Sequence, residues 1–210
     1  MPRRIVQLLI GLFLYGIGIA FIIRGVLGAA PWDVLSQGIS MHLPLSFGVI
    51  TIIVSGIVLL LWIPIRQKPG VGTILNAVLV GPSADVGFLW IPETELLWLR
   101  IAFFIIGLTT LAAATGLYIG AHFGPGPRDG LMTGLHRVTG RPIWMVRTAL
   151  EVTVVAIGWL LGGIVGLGTV AFALLVGPMC QYFMRIFDVK LPVRRTAPDG
   201  EEARHDPVSG

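Results

Sequence analysis

The sequence predicts an all-α membrane protein: six transmembrane helices built as two inverted three-helix repeats, each repeat carrying a short polar helix after its first span. Three observations lead there: a composition too apolar for water, six apolar stretches of membrane-crossing length, and a self-similarity at one gapless offset. The chain has 210 residues, of which 55% are hydrophobic and only 12% charged, and its mean hydropathy is +0.86. Soluble domains carry roughly 25% charged residues, so this chain cannot cover a water-facing surface. That argues against a soluble globular protein, a disordered chain and a nucleic-acid binder, despite the net charge of +4.

A membrane helix needs about 20 mostly apolar residues. Six stretches qualify: Ile5–Ile23, Phe47–Ile65, Gly72–Leu89, Leu97–Tyr118, Ile143–Leu161 and Ile164–Phe187. Runs such as Ile57 to Trp62 do not alternate apolar with polar residues, which excludes barrel strands. Lys and Arg collect in cytoplasmic loops. With the N-terminus inside, all fifteen basic residues fall on the inner side except Arg24, Arg100 and Arg147, and the loop Ile91–Glu95 carries two glutamates and no base. Both termini are therefore expected in the cytoplasm of a multi-pass cell-membrane protein. The first span could serve as a cleaved signal peptide, with Gly28-Ala29-Ala30 as the small-residue site, but Pro31 follows directly.

The repeat is a stronger objection. Gly28, Pro31, Asp33, Leu35 and Gly38 recur as Gly124, Pro127, Asp129, Leu131 and Gly134, each 96 positions on. Gly72-Thr73, Ala77 and Leu79-Val80-Gly81-Pro82 recur at that offset as Gly168-Thr169, Ala173 and Leu175-Val176-Gly177-Pro178. Arg4-Ile5 and Ile10-Gly11-Leu12 of the first span likewise recur as Arg100-Ile101 and Ile106-Gly107-Leu108. Three blocks sharing one offset imply duplication, with repeats over 1–95 and 96–190 and a disordered cytoplasmic tail over 191–210. Three spans per copy, an odd number, insert the second copy upside down. This inverted architecture recurs in secondary transporters.

Several residues carry possible chemistry. Pro31–Ser40 and Pro127–Arg137 are too short and polar to cross; each suits a short helix opened by proline, with Asp33 or Asp129 in its first turn. In an inverted pair these helices are expected towards opposite faces, each gating one side, or else the aspartates merely cap them. Arg147 and Glu151, four apart on one helix face, are costly in a bilayer unless paired or interior-facing. They form a substrate or ion site; the alternatives are a structural salt bridge that locks helices together, or Arg147 reaching to the inner interface. Gly81-Pro82 and Gly177-Pro178 interrupt two spans at matching positions, the best sequence pointer to a midplane site, with Asn76 and Gln181 nearby; a packing kink is the alternative. Cys180 suits an inert core position. The histidines lack metal-ligand spacing, and no nucleotide-binding motif or nucleophile–base pair occurs, so no metal, cofactor or enzymatic activity is expected.

The motifs Gly28-x-x-Pro31-Trp32-Asp33, Gly72-Thr73…Gly81-Pro82 and Gly124-Pro125-Gly126-Pro127-Arg128-Asp129-Gly130-Leu131-Met132 resemble the YczE/YyaS/YitT family of bacterial integral membrane proteins, in its YczE-like branch, from about Arg4 to Asp188. The YitT branch typically adds a soluble C-terminal domain, for which this chain has no room. The resemblance implies a membrane protein without an established substrate and supplies no catalytic residues. The leading expectation is a small secondary-transporter-like carrier, driven by an ion or substrate gradient. Its competitor is a non-transporting scaffold or accessory protein for another complex. Expected partners are the lipid bilayer, an unknown small solute or ion and, in a homo-oligomer, further copies of the chain.

Overall fold

Two helices, α1 (Pro2–Arg24) and α5 (Leu97–Gly120), form the centre of the molecule, packed along each other more extensively than any other pair. Small residues let the backbones meet, as in membrane bundles generally. A Cβ on Gly18 would stand 2.9 Å from the Leu111 amide nitrogen, and one on Gly11 would stand 2.8 Å from that of Tyr118. The computed structural model describes residues 2–187, all of its regular elements helical; the expected tail over 191–210 lies outside the described residues. Between and after the central pair come α2 (Pro31–Ser40), α3 (Phe47–Leu60), α4 (Val71–Trp90), α6 (Pro127–Thr139), α7 (Ile143–Leu160) and α8 (Leu167–Phe187).

Five of the eight, α1, α4, α5, α7 and α8, are long and apolar enough to cross a bilayer. Their outer faces expose large apolar side chains, among them Leu89, Trp159, Leu160, Leu167 and Leu174, as a lipid-facing surface requires. The span expected over Phe47–Ile65 is helical only to Leu60 and then tightens into turns. Trp62 and Ile63 donate to carbonyls three residues back, and Pro64 has no amide with which to continue.

The elements recur at the offset of the sequence blocks. α2, α3 and α4 begin at Pro31, Phe47 and Val71; α6, α7 and α8 begin 96 positions later, at Pro127, Ile143 and Leu167. Left-handed backbone recurs likewise: Val26 (φ 53°) with His122 (55°), Gly28 (121°) with Gly124 (115°), and Arg66 (52°) with Gly162 (91°). The links between the two sets of helices are reciprocal. Gly72 N–H donates to the Phe123 carbonyl at 2.9 Å, and Gly168 N–H donates to that of Leu27 at 2.7 Å.

One correspondence fails. α3 packs against α4, whereas α7 and α8 make almost no direct contact. The start of α3 is clasped to the end of α4: Ser46 Oγ donates to Asp85 Oδ2 at 2.6 Å, and Gly48 N–H donates to Asp85 Oδ1 at 2.9 Å. A Cβ on Gly48 would lie 2.7 Å from the Gly81 carbonyl carbon, while one on Gly177, the counterpart of Gly81, would meet nothing within 4 Å. The positions matching Ser46, Gly48 and Asp85 are Pro142, Trp144 and Gln181, which can neither approach as closely nor form that clasp.

The expected helix interruptions at Gly81-Pro82 and Gly177-Pro178 are corrected: α4 and α8 run unbroken through Pro82 and Pro178. Proline inside membrane helices is tolerated more than in soluble ones; Pro82 forfeits the bond to the Val78 carbonyl four residues back, and Ser83 Oγ donates 2.8 Å to the adjacent Leu79 carbonyl. Gly81→Ala should therefore lower the thermal stability of detergent-solubilised protein by about 1–3 kcal/mol, the usual cost of overpacking. Gly177→Ala should be tolerated, and equal melting temperatures for the two variants would contradict this packing.

Candidate functional site: a charged cavity between α7 and α8

The two short helices begin together in the interior. Each opens on a buried proline, Pro31 or Pro127, whose missing amide costs nothing in a first helical turn. Their N-cap residues, Ala30 and Gly126, give no side-chain cap hydrogen bond. The aspartates are bonded elsewhere, contrary to the capping alternative. Arg128 Nη1 donates to Asp33 Oδ1 at 3.1 Å, and the Arg128 guanidinium lies 5.5 Å from the centre of the Trp32 ring. Asp33 is 1% exposed. The expectation that α2 and α6 sit at opposite faces thus needs correcting at their starts, which an ion pair joins. Their far ends diverge: Arg137, near the end of α6, donates to the Ile65 carbonyl beyond α3, whereas Gln37, in α2, accepts from Ile164 N–H beyond α7.

Asp129 turns the other way. Its Oδ2 accepts the Tyr118 hydroxyl of α5 at 2.9 Å, and the Tyr118 ring meets that of Tyr15 edge-on, 5.9 Å between centres. Burial pushes the carboxyls of both aspartates, on helices that do not span, above the usual carboxylate range. Arg128 opposes this at Asp33; the Tyr118 hydroxyl, Arg147 and Arg128 oppose it at Asp129.

A cavity of about 260 Å³ fills the gap left between α7 and α8. Asp129, Arg128, Arg147 and Glu151 line it, with Tyr15, Trp32, Tyr118 and Phe172 as aromatic walls and Gly177 and Cys180 from α8. Arg147 Nε donates to Glu151 Oε1 at 2.8 Å, so the expected pair forms within α7 and faces the cavity. Next to it lies a chamber of about 40 Å³, lined by Asn76, Thr51, Ser55, Tyr118 and Asp129. Among the described residues the Thr51 hydroxyl there is buried without a hydrogen-bond partner.

The expected site residues therefore divide. Asp129, Arg147, Glu151 and Gly177 share the larger cavity, Asn76 faces the smaller, and Asp33 acts through Arg128. Gln181 and Pro178 are exposed and line neither cavity; Gly81 belongs to the α3–α4 contact and Pro82 is exposed beside it. Cys180, expected as inert core, is half-buried at the cavity wall. Tyr15, Tyr118 and Arg128 also line the cavity and were not among the expected site residues. Arg128 alone left a signal: it replaces the Trp32 of the first block, adding one base to two equivalent aspartates.

A family model described as a family of unknown function (DUF6198) matches residues 2–185. The chain is 38% identical to an uncharacterised protein of Haemophilus influenzae over 88% of its own length and 84% of the relative's. It is 30% identical to the uncharacterised membrane protein YczE of Bacillus subtilis, over 82% and 81%, and 27% identical to the uncharacterised protein YyaS of the same organism, over 85% and 91%. No solved structure matches.

Removing Arg128 would strand the Asp33 carboxylate. Breaking a buried ion pair costs about 3–5 kcal/mol, so Arg128→Ala should melt far below the parent in detergent. Adding Asp33→Asn should recover much of the loss. Additive losses in the double variant would show that the pair is not coupled.

Proposed function

This chain belongs to the DUF6198 family, a family of unknown function, and we propose that it is a small secondary-transporter-like carrier working by alternating access. In this reading α1–α4 and α5–α8 are inverted halves, and α3 with its following turns completes a sixth crossing. Support comes from the element starts at one offset and from the reciprocal Gly72–Phe123 and Gly168–Leu27 bonds. Such exchange, residue i to j and the counterpart of i to the counterpart of j, is what a two-fold relation produces.

One observation carries the carrier reading: α3 and α4 are clasped through Asp85 while α7 and α8 stand apart around a charged cavity. Halves built alike but closed at one end and open at the other are what alternating access requires of a single conformation. With both termini in the cytoplasm, the clasp lies outside and the opening inside. The conformation is then inward-facing, and the reverse state clasps α7 to α8 and parts α3 from α4. Asp129 and Glu151 are the groups placed to exchange a proton or coupling ion, with Asp33 holding Arg128 in position. No catalytic step is assigned.

Proteoliposomes test this. Cys180 is the chain's single cysteine, so a membrane-impermeant maleimide should label it from the cytoplasmic face, and solute gradients should drive uptake that Glu151→Gln reduces several-fold. Absence of uptake under every gradient, with Glu151→Gln silent and one partner co-purifying stoichiometrically, would favour the scaffold reading.

A further inference from the structure

Two carboxylates, Asp129 and Glu151, and two arginines, Arg128 and Arg147, line the cavity, and a third carboxylate, Asp33, holds Arg128 from outside the lining. Arg128 is answered by Asp33 at 3.1 Å and Arg147 by Glu151 at 2.8 Å. Asp129 is left with the neutral Tyr118 hydroxyl at 2.9 Å and, among the described residues, makes no salt bridge. An anion site would need a base not already paired, and among the described residues both cavity arginines are bound to carboxylates. Asp129 is the cavity carboxylate without a cationic partner among the described residues, and its ionised form gives the cavity a negative surplus.

The rest of the lining narrows the ligand further. Faces of aromatic rings attract cations, above all quaternary or protonated amines stripped of water, and the rings of Tyr15 and Tyr118 stand beside Asp129. A bare metal ion would leave the apolar wall of Leu111, Met132, Phe172 and Val176 uncovered. An uncharged solute would leave an ionised Asp129 without a counter-charge in a low-dielectric site. The volume of about 260 Å³ is below the range of about 300–1,000 Å³ usual for drug-sized ligands, which restricts the solute to a small one. A second polar group lies close by: the Thr51 hydroxyl, on a residue 2% exposed and without a partner among the described residues, lines the chamber that adjoins Asp129.

We propose that the cavity takes a small organic monocation, a protonated amine or a quaternary ammonium, with its charge at the Asp129 carboxylate and its body against Tyr15 and Tyr118. This rests on the carrier reading of the same cavity and assigns it a substrate class. Asp129 supplies the counter-charge, Tyr118 positions it, and the paired arginines repel a second cation.

The test is titration calorimetry on the purified full-length chain in detergent, with choline, tetramethylammonium and ethanolamine as cations. The control ligand is 3,3-dimethylbutan-1-ol, the uncharged carbon isostere of choline. At least one cation should bind, choline about ten-fold or more tightly than its isostere if choline is that cation. Asp129→Asn should abolish cation binding, and Glu95→Gln, in an exposed loop, should leave it intact. Equal binding of choline and the isostere, undiminished binding by folded Asp129→Asn, a preference for acetate, or no binding by any of the three cations would each overturn the proposal. The comparison of choline with its isostere uses the parent protein alone, so it stands even if the variant fails to fold. Cation binding without gradient-driven uptake in liposomes would uphold the site and refute the carrier; uptake of an anion instead would uphold the carrier and refute the site.

Discussion

The contact between Arg128 and Asp33 is the constraint on which the rest of the site depends. It joins the first turns of two short helices that leave in different directions, one towards the chain beyond α3, the other towards the chain beyond α7. Both partners are largely withdrawn from solvent, 18% and 2% exposed, so neither charge can be left alone cheaply. Because the arginine occurs in only one of two matching blocks, it satisfies one aspartate and leaves its twin. Asp129 must then find what it can, and it finds a tyrosine hydroxyl at the edge of a cavity.

A second asymmetry makes the cavity. The glycine-lined crossing of α1 and α5 is shared by both sets of helices, since Gly11 and Gly18 approach Ala114 and Gly107 in a reciprocal pattern. Away from that axis the sets differ. On one side Ser46, Gly48, Gly81 and Asp85 allow two backbones to touch and be bonded; on the other Pro142, Trp144 and Gln181 take the matching places and Gly177 faces open space. Duplicated helices thus differ where side-chain volume and hydrogen-bonding capacity differ. The open side is where Arg147 and Glu151 replace Thr51 and Ser55. Charge and space arrive together, as the proposed solute site needs.

Much of the fold was legible because its signals are local. Apolar length located the spans, and prolines located the first turns of α2 and α6; Asp33 and Asp129 in those turns marked the short helices as special. Two local signals misled. Pro64 ended α3 early, which an apolar count through Ile65 hides, and Pro82 and Pro178 did not break their helices, which run on through them because the remaining turns hold against the loss of one hydrogen bond. The site was legible only in part. Arg147 with Glu151 follows from helical spacing, but Arg128 with Asp33 joins residues 95 positions apart, and Tyr15 and Tyr118 look like ordinary members of apolar spans. The gap between α7 and α8 could have been suspected from Trp144 standing where the first block has Gly48.

The account stands or falls on whether the two ends exchange states. The most direct measurement is electron–electron distance spectroscopy in nanodiscs, on a Cys180→Ser background, with spin labels at Val49 and Leu89 in one sample and at the matching Met145 and Arg185 in another. The account predicts two distance populations in each pair, short in one when long in the other, shifting reciprocally as solute or proton gradients change. A single unvarying distance in both pairs, under every condition, would contradict it.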